Sequence, residues 1–189
     1  MTRCLILLLA LVAAPLAAQA QAILLVAKPG VVDPSFRETV VLVTRAPDES
    51  TVGVILNRPT QKSVSDLVGA WSFREPLYAG GPVLPDVVVA LFAAQNPPSD
   101  AAFTVLPDVY LTLHPKNIET LLAHPGERVR LFAGFSGWAP RQLEAEMERD
   151  DWYAVRASES VLFRKDTSGL WRELVEQARG PRTALMPQR

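Results

Sequence analysis

Apolar residues alternate with polar ones, or form short unbroken runs, along much of this chain, and these patterns predict strands. Residues 39–45 (TVVLVTR) and 51–57 (TVGVILN) are rich in β-branched residues and are separated by a polar loop, so they predict an antiparallel hairpin. Further strands are predicted at 22–28, 77–79, 86–94, 109–113, 128–133 and 152–157.

Apolar residues three and four apart predict helices between these strands. Helices are expected after Ser63, from Pro115, from Pro140 and from Ser168, which should cap the last of them. Strands and helices in mixed order predict an α/β or α+β fold. We expect a single compact domain over residues 21–180, with a mixed sheet of seven or eight strands, about four helices and a disordered tail at 181–189.

Residues 128–152 combine a strand, a glycine-containing segment and a helix. The strand places Arg128 and Arg130 on the face opposite its apolar residues, and residues 134–137 (GFSG) predict a tight turn. The helix that follows would turn Leu143 and Met147 inward. Many α/β proteins hold their chemistry where a strand turns into a helix, so this corner is the first candidate for a site.

Ser136 is the candidate nucleophile of this corner. A serine elbow of the α/β-hydrolase type needs G-x-S-x-G, but Trp138 stands where the final glycine would be. The usual triad order places a histidine after the serine, whereas His114 and His124 both precede it. The pattern therefore favours a turn in which Ser136 bonds backbone. A serine hydrolase using Ser136 with His114 or His124 is the alternative.

The first 20 residues have the three parts of a secretory signal peptide. Arg3 gives a positive start, an apolar run of 15 residues extends from Cys4 to Ala18, and residues 18–20 (AQA) resemble a cleavage site. The run is short against the ~20 residues of a spanning helix. We expect an exported, periplasmic protein without a membrane span after cleavage. A cytoplasmic protein with a misassigned start codon is the alternative.

Cleavage would remove the single cysteine and Arg3, and so change the formal net charge from −1 to −2. A chain without cysteine and with two histidines lacks thiolate and histidine-rich metal sites, so no cofactor or metal is expected. The acidic residues of 144–151 are interpreted as a solvated helix face more readily than as a metal pair. No basic patch stands out, so no nucleic-acid partner is expected.

Polar residues at strand ends, with two glycines and two aromatic residues, form a candidate surface for an unknown protein or small-ligand partner. Its members are Asp33, Phe36, Arg37, Asn57, Arg58, Gly80, Gly81 and Trp138. Arg58 could serve an anion or peptide pocket, or could pair with Asp33 in a structural bridge. Gly80 and Gly81 lack the spacing of a phosphate loop, so a turn with positive φ is expected there.

Several motifs, in their order along the chain, resemble the YqgE/AlgH family of bacterial proteins. They are residues 28–30 (KPG), 33–37 (DPSFR), 39–42 (TVVL), 53–60 (GVILNRPT), 80–83 (GGPV), 134–138 (GFSGW), 142–144 (QLE), 151–152 (DW), 162–163 (LF) and 171–172 (WR). The likeness covers about residues 22–178, and the motifs together are specific.

The resemblance implies a single α/β-type domain without an agreed catalytic activity. Family members are often described as transcriptional regulators, although they lack a DNA-binding motif. The family usually has alanine where Ser136 stands, which disfavours a serine nucleophile. Its members generally lack a leader, so the expected export conflicts with a role at DNA. The combined expectation is a non-enzymatic regulatory or binding module of this family.

Overall fold

The structure described here is a computed structural model covering residues 22–64, 66, 76–124 and 128–180. Its strands are β1 (Ile23–Ala27), β2 (Val40–Arg45), β3 (Thr51–Ile55), β4 (Leu77–Ala79), β5 (Val83–Ala93), β6 (Phe103–Leu106), β7 (Val109–Thr112), β8 (Val129–Trp138) and β9 (Trp152–Arg156). Its helices are α1 (Pro115–Ala123), α2 (Gln142–Glu148), α3 (Glu159–Leu162) and α4 (Leu170–Arg179). The expected leader, the expected tail and most of the helix expected after Ser63 lie outside these residues.

The strands form one sheet in the order β6-β7-β5-β8-β3-β2-β1-β9, and β4 pairs with β8 off this path. The β4–β8 pair is parallel and the other pairs are antiparallel, so the predicted single domain with a mixed sheet is confirmed. The predicted hairpin is confirmed as β2 and β3, with Val43 opposite Gly53. Strand β6, beside the proline-rich loop after β5, was not predicted and raises the number of strands to nine. None of the described helices is long and apolar enough to cross a membrane.

Strand β8 runs through the segment predicted to be a tight turn, and that prediction is wrong. Phe135 lies opposite Val83 of β5, and Ser136 lies opposite Gly53 of β3. Gly134 has a φ of 69°, a left-handed conformation that glycine adopts at little cost, and the strand continues beyond it. The corner therefore lies later, at Ala139-Pro140-Arg141, before α2.

Strand β4 lies between β8 and the end of β3. The Gly80 N–H donates to the Ala133 oxygen at 2.9 Å, while the Ile55 N–H donates to the Gly80 oxygen at 2.9 Å. Beyond this point β8 pairs with β3 instead. A Cβ at Gly80 would lie 2.2 Å from the Gly134 oxygen, so only glycine fits where the three strands diverge.

Alternate residues of β1, β2 and β3 face two apolar layers. On one face, Leu24, Val26 and Leu42 pack with the buried residues of α3 and α4. On the other, Leu25, Val41 and Ile55 pack with Trp138, Trp152 and Phe36. Helix α1 covers the remaining part of the sheet through Ile118 and Leu122. The core is thus built on both faces of the sheet.

Two details of the predicted helices are wrong. Met147 is 37% exposed, because α2 is a short surface helix and only its Leu143 packs against the core. Ser168 does not cap α4: Gly169 occupies the N-cap position with a φ of 76°, and the Ser168 hydroxyl bonds to Asp166 at 2.6 Å. The Ser168 hydroxyl thus stabilises the turn before α4 instead of capping the helix.

Candidate binding surface

Arg58 fastens the loop that precedes β2. Its Nη1 donates to the Ser35 oxygen at 2.7 Å, and its Nη2 donates to the oxygens of Pro34 and Arg37, both at 3.0 Å. These partners are carbonyls, so the structural bridge runs to the main chain and not to the Asp33 carboxylate. Burial lowers the pKa of Arg58, the nearby charge of Arg37 lowers it further, and Asp33 acts in the opposite direction.

Asn57 fixes the other end of the same loop. Its Oδ1 accepts from the Val40 N–H at 2.8 Å, and its Nδ2 donates to the Glu38 oxygen at 2.8 Å. Glu38 has a φ of 57°, a conformation that a non-glycine residue keeps only when its surroundings hold it. Asp33 closes the turn internally by accepting from the Ser35 N–H at 2.7 Å. Residues 33–38 are therefore held in one shape.

The Phe36 ring of this loop packs against two indole rings that share one carboxylate. Phe36 stacks on Trp138, with ring centroids 5.5 Å apart, and meets Trp152 edge to face at the same distance. Both indole N–H groups donate to one oxygen of Glu146, at 2.9 and 3.0 Å, while Gln142 donates to its other oxygen at 3.2 Å. The Glu146 carboxylate is thus held in a fixed position beside the rings.

A pocket of about 290 Å³ opens between the loop and these rings, and we call it the loop pocket. It is lined by Gly30, Val31, Val32, Asp33, Phe36, Glu146, Arg149, Asp151 and Trp152. Arg149 bonds the Asp151 carboxylate at 2.9 Å. In the described part of the chain, no cation lies within salt-bridge distance of Asp33 or Glu146. The pocket therefore has an excess of negative charge.

The residues of the predicted surface separate into three groups. Asp33 and Phe36 line the loop pocket. Arg58 and Gly81 line a smaller cleft of about 160 Å³ on the other side of the loop. Asn57, Gly80, Arg37 and Trp138 take part in the contacts that hold the loop, the strand junction and the rings. Sequence reasoning missed Glu146 and Trp152, which no local pattern links to Phe36.

Ser136 lies at the strand junction, fully buried, and its hydroxyl donates to the Gly80 oxygen at 3.1 Å. His114 is the N-cap residue of α1, and its Nδ1 lies 4.0 Å from the Asp100 carboxylate. The hydrogen-bond partner of the Ser136 hydroxyl is the Gly80 oxygen and not a histidine. Within the described ranges, no group of three or more histidine, cysteine, aspartate or glutamate side chains is placed to hold a metal ion. The sequence correctly predicted that Ser136 bonds backbone, but it placed the residue in a turn and not in a strand.

Comparison with known proteins places this fold in a group of bacterial proteins. A family model described as "DUF179: AlgH-like" matches residues 24–182. A UPF0301 protein of Thermobifida fusca is 33% identical over 170 residues, covering 83% of this chain and 86% of the relative. A UPF0301 protein of Chlorobaculum tepidum is 32% identical over 161 residues, with the same two coverages.

Two solved structures share the fold. A Corynebacterium diphtheriae protein known from a crystal structure superimposes with a TM-score of 0.70 at 25% identity, covering 86% of this chain and 88% of the other. The solution structure of the AlgH protein from Pseudomonas aeruginosa also gives a TM-score of 0.70, at 21% identity, covering 89% of this chain and 93% of the other.

Proposed function

Since this chain belongs to the AlgH-like family, whose biochemical function is uncharacterised, we propose that it is a non-enzymatic binding module whose contact surface is the loop pocket. The observation that carries the proposal is that two carboxylates without a described salt-bridge partner, Asp33 and Glu146, lie in one pocket with the rings of Phe36 and Trp152. Carboxylates and aromatic faces both attract cations. The pocket is therefore suited to a positively charged group on a protein or small-molecule partner.

The fixed shape of the loop supports this use. Asn57 and Arg58 hold residues 33–38 through main-chain oxygens, so the pocket is formed before a ligand arrives. A preformed pocket avoids the entropy cost of ordering a loop on binding. Val32, 88% exposed at the rim, offers apolar area beside the charged groups.

The alternative function, a serine hydrolase, has weaker support. A nucleophile must reach its substrate, whereas the Ser136 hydroxyl is completely buried and bonded to Gly80. We expect no labelling by a fluorophosphonate probe. Labelling that disappears in Ser136→Ala would favour the hydrolase.

The proposal also covers the class of partner and the cellular compartment. A net charge of −1, or −2 after loss of Arg3, disfavours a nucleic-acid partner, and we expect no salt-dependent DNA affinity. We also expect export through the leader. Amino-terminal sequencing of protein from periplasm and cytoplasm should find a start near Gln21 in the periplasm. Cytoplasmic protein whose first residue lies downstream of Met1, so that the complete leader is never made, would favour the misassigned start codon.

The pocket is tested by titrating butylammonium chloride into isotope-labelled protein, with 1-butanol as the uncharged control. We expect the Trp152 indole and Val32 amide resonances to move with butylammonium and to respond weakly to 1-butanol. Asp33→Asn keeps an acceptor for the Ser35 N–H but removes the charge, so it should weaken binding severalfold.

Asp48→Asn is the matched control, because Asp48 accepts from Ser50 in the same way in a different loop. Equal weakening by the two variants, or equal shifts with 1-butanol, would rule out the loop pocket as a cation site.

A further inference from the structure

Arg130 of β8 is a buried cation that has no acidic partner among the described residues. Arg130 is only 6% exposed, although the alternating pattern of the strand predicted that it would lie on the polar face. Its Nη1 donates to the Leu162 oxygen at 2.9 Å and its Nη2 to the Leu56 oxygen at 2.6 Å. Its guanidinium carbon lies 4.1 Å from the centre of the Tyr78 ring. These contacts fix the group but leave its charge uncompensated.

The buried Nε of Arg130 has no hydrogen-bond partner in the described part of the chain. Burial lowers the pKa of this guanidinium, as expected for a charge removed from water. A buried charge normally requires a counter-charge, and a buried donor normally requires an acceptor. Within the part of the chain that the structure describes, Arg130 therefore lacks both a counter-charge and an acceptor for its Nε.

Arg130 lines a cavity of about 400 Å³, which we call the basic cavity. Its lining residues are Pro76, Tyr78, Arg128, Val129, Arg130, Phe163, Arg164 and Lys165. Arg128 pairs with Glu159, and Arg164 pairs with Glu173. No described carboxylate lies within salt-bridge distance of Lys165 or Arg130. Two of the four cations of the described lining thus have no salt-bridge partner among the described residues.

The size and walls of the basic cavity limit what fits it. Small-molecule sites typically enclose ~300–1,000 Å³, so the cavity has room for an organic group as well as an anion. Val129, Phe163 and Pro76 supply apolar wall, and guanidinium groups bind phosphate oxygens through paired N–H donors. A dianion with a compact apolar group matches both the charge excess and the wall.

We propose that the basic cavity binds a small soluble phosphomonoester through Arg130 and Lys165. This site shares no lining residue with the loop pocket, so it goes beyond the function proposed above and stands or fails independently of it.

The test uses phenyl phosphate as the probe, measured by calorimetry and by the amide resonances of Val129 and Phe163. Phenol lacks the dianion and inorganic phosphate lacks the ring, so both should bind at least about tenfold more weakly. Arg130→Met should abolish binding, but it also removes the bonds to Leu56 and Leu162 and could impair folding. Lys165→Met is therefore the second variant, because Lys165 is exposed and its loss leaves the core unchanged.

Lys165→Met should lower the affinity for phenyl phosphate about tenfold, as expected for the loss of one charged contact. Lys116→Met, an exposed lysine on α1 outside the cavity, is the matched control and should change nothing. Equal affinity in the Lys165 and Lys116 variants, or shifts caused equally by phenol, would overturn the proposal. Binding only to vesicles containing phosphatidic acid, and not to phenyl phosphate, would overturn the assignment to a small soluble ligand.

Discussion

The hydroxyl of Ser136 donates to the main-chain oxygen of Gly80 at 3.1 Å, inside the junction where β3, β4 and β8 meet. The same oxygen also accepts from the Ile55 N–H at 2.9 Å, so it keeps one partner if the hydroxyl is lost. Ser136 is thus a structural member of the sheet.

Ser136→Ala should lower the free energy of unfolding by about 1 kcal/mol, because one buried hydrogen bond is lost and no carbonyl is left unpaired. Urea denaturation measures this change. Ser160→Ala, which removes an exposed hydroxyl bonded to Ser158, should cost less than about 0.5 kcal/mol. A fully folded Ser136→Ala protein that has lost a ligand-dependent or labelling activity would argue against a purely structural role.

Gly80→Ala should be far more damaging. The added Cβ would lie 2.2 Å from the Gly134 oxygen and 2.9 Å from the Phe132 Cβ, and the backbone of a paired strand cannot move away without breaking the junction. We expect a loss of about 3 kcal/mol or more in unfolding free energy, or no soluble protein. Gly30→Ala meets no atom within 4 Å and should change stability by no more than about 0.5 kcal/mol.

Arg58→Lys separates charge from geometry in the loop 33–38. An ammonium keeps the charge but cannot reach three carbonyls as the planar guanidinium does. We expect a loss of about 1–3 kcal/mol and faster proteolysis within the loop. Arg37→Lys is the control, since the exposed Arg37 contributes only its main-chain oxygen to the clamp. Equal protease resistance of both variants would show that the clamp does not hold the loop.

Glu146→Ala should loosen the aromatic cluster. Two indole N–H groups, of Trp138 and Trp152, would lose their acceptor, at a cost of about 2 kcal/mol. Both indole resonances should shift and exchange faster with solvent. Glu144→Ala on the same helix removes an exposed pair with Arg45 and should change stability by less than about 0.5 kcal/mol. Unchanged indole resonances in Glu146→Ala would contradict the described bonds.

Acid should weaken the fold through three exposed aspartates. Hydrogen bonds from nearby serines lower the pKa of Asp48, Asp66 and Asp166 below the ordinary 3.8. Because the folded pKa is depressed, the stabilisation is present above the unfolded pKa and is lost as pH falls through the folded pKa. Denaturant unfolding at a series of acidic pH values should show this decline, and replacing all three by asparagine should flatten it.

The hairpin of β2 and β3 was predictable because its signal is local: β-branched residues pair across a short loop. The course of β8 was not, because its glycines are typical of a turn. Only the arrival of β4 and β5 beside them shows that they accommodate close strands instead. Tertiary packing also reversed the expected exposure of Arg130, since Tyr78 and α3 cover the polar face of its strand.

The part of the candidate site that follows from the local hairpin signal was also predictable. Asn57 and Arg58 follow a strand, so their proximity to the preceding loop could be inferred from the hairpin. Glu146 could not be found this way, because its two indole donors come from β8 and β9 and converge only in the folded protein.

Strand β1 lies between β2 and β9, so its two neighbours come from opposite ends of the domain sequence. The apolar residues 24–27 can pair with β2 through a local contact, but their second neighbour, β9, is more than 100 residues away along the chain. Until β9 docks, one side of β1 keeps unpaired backbone groups that can join a strand of another chain. Chaperone protection of the incompletely folded polypeptide is therefore expected to matter until β9 has paired with β1.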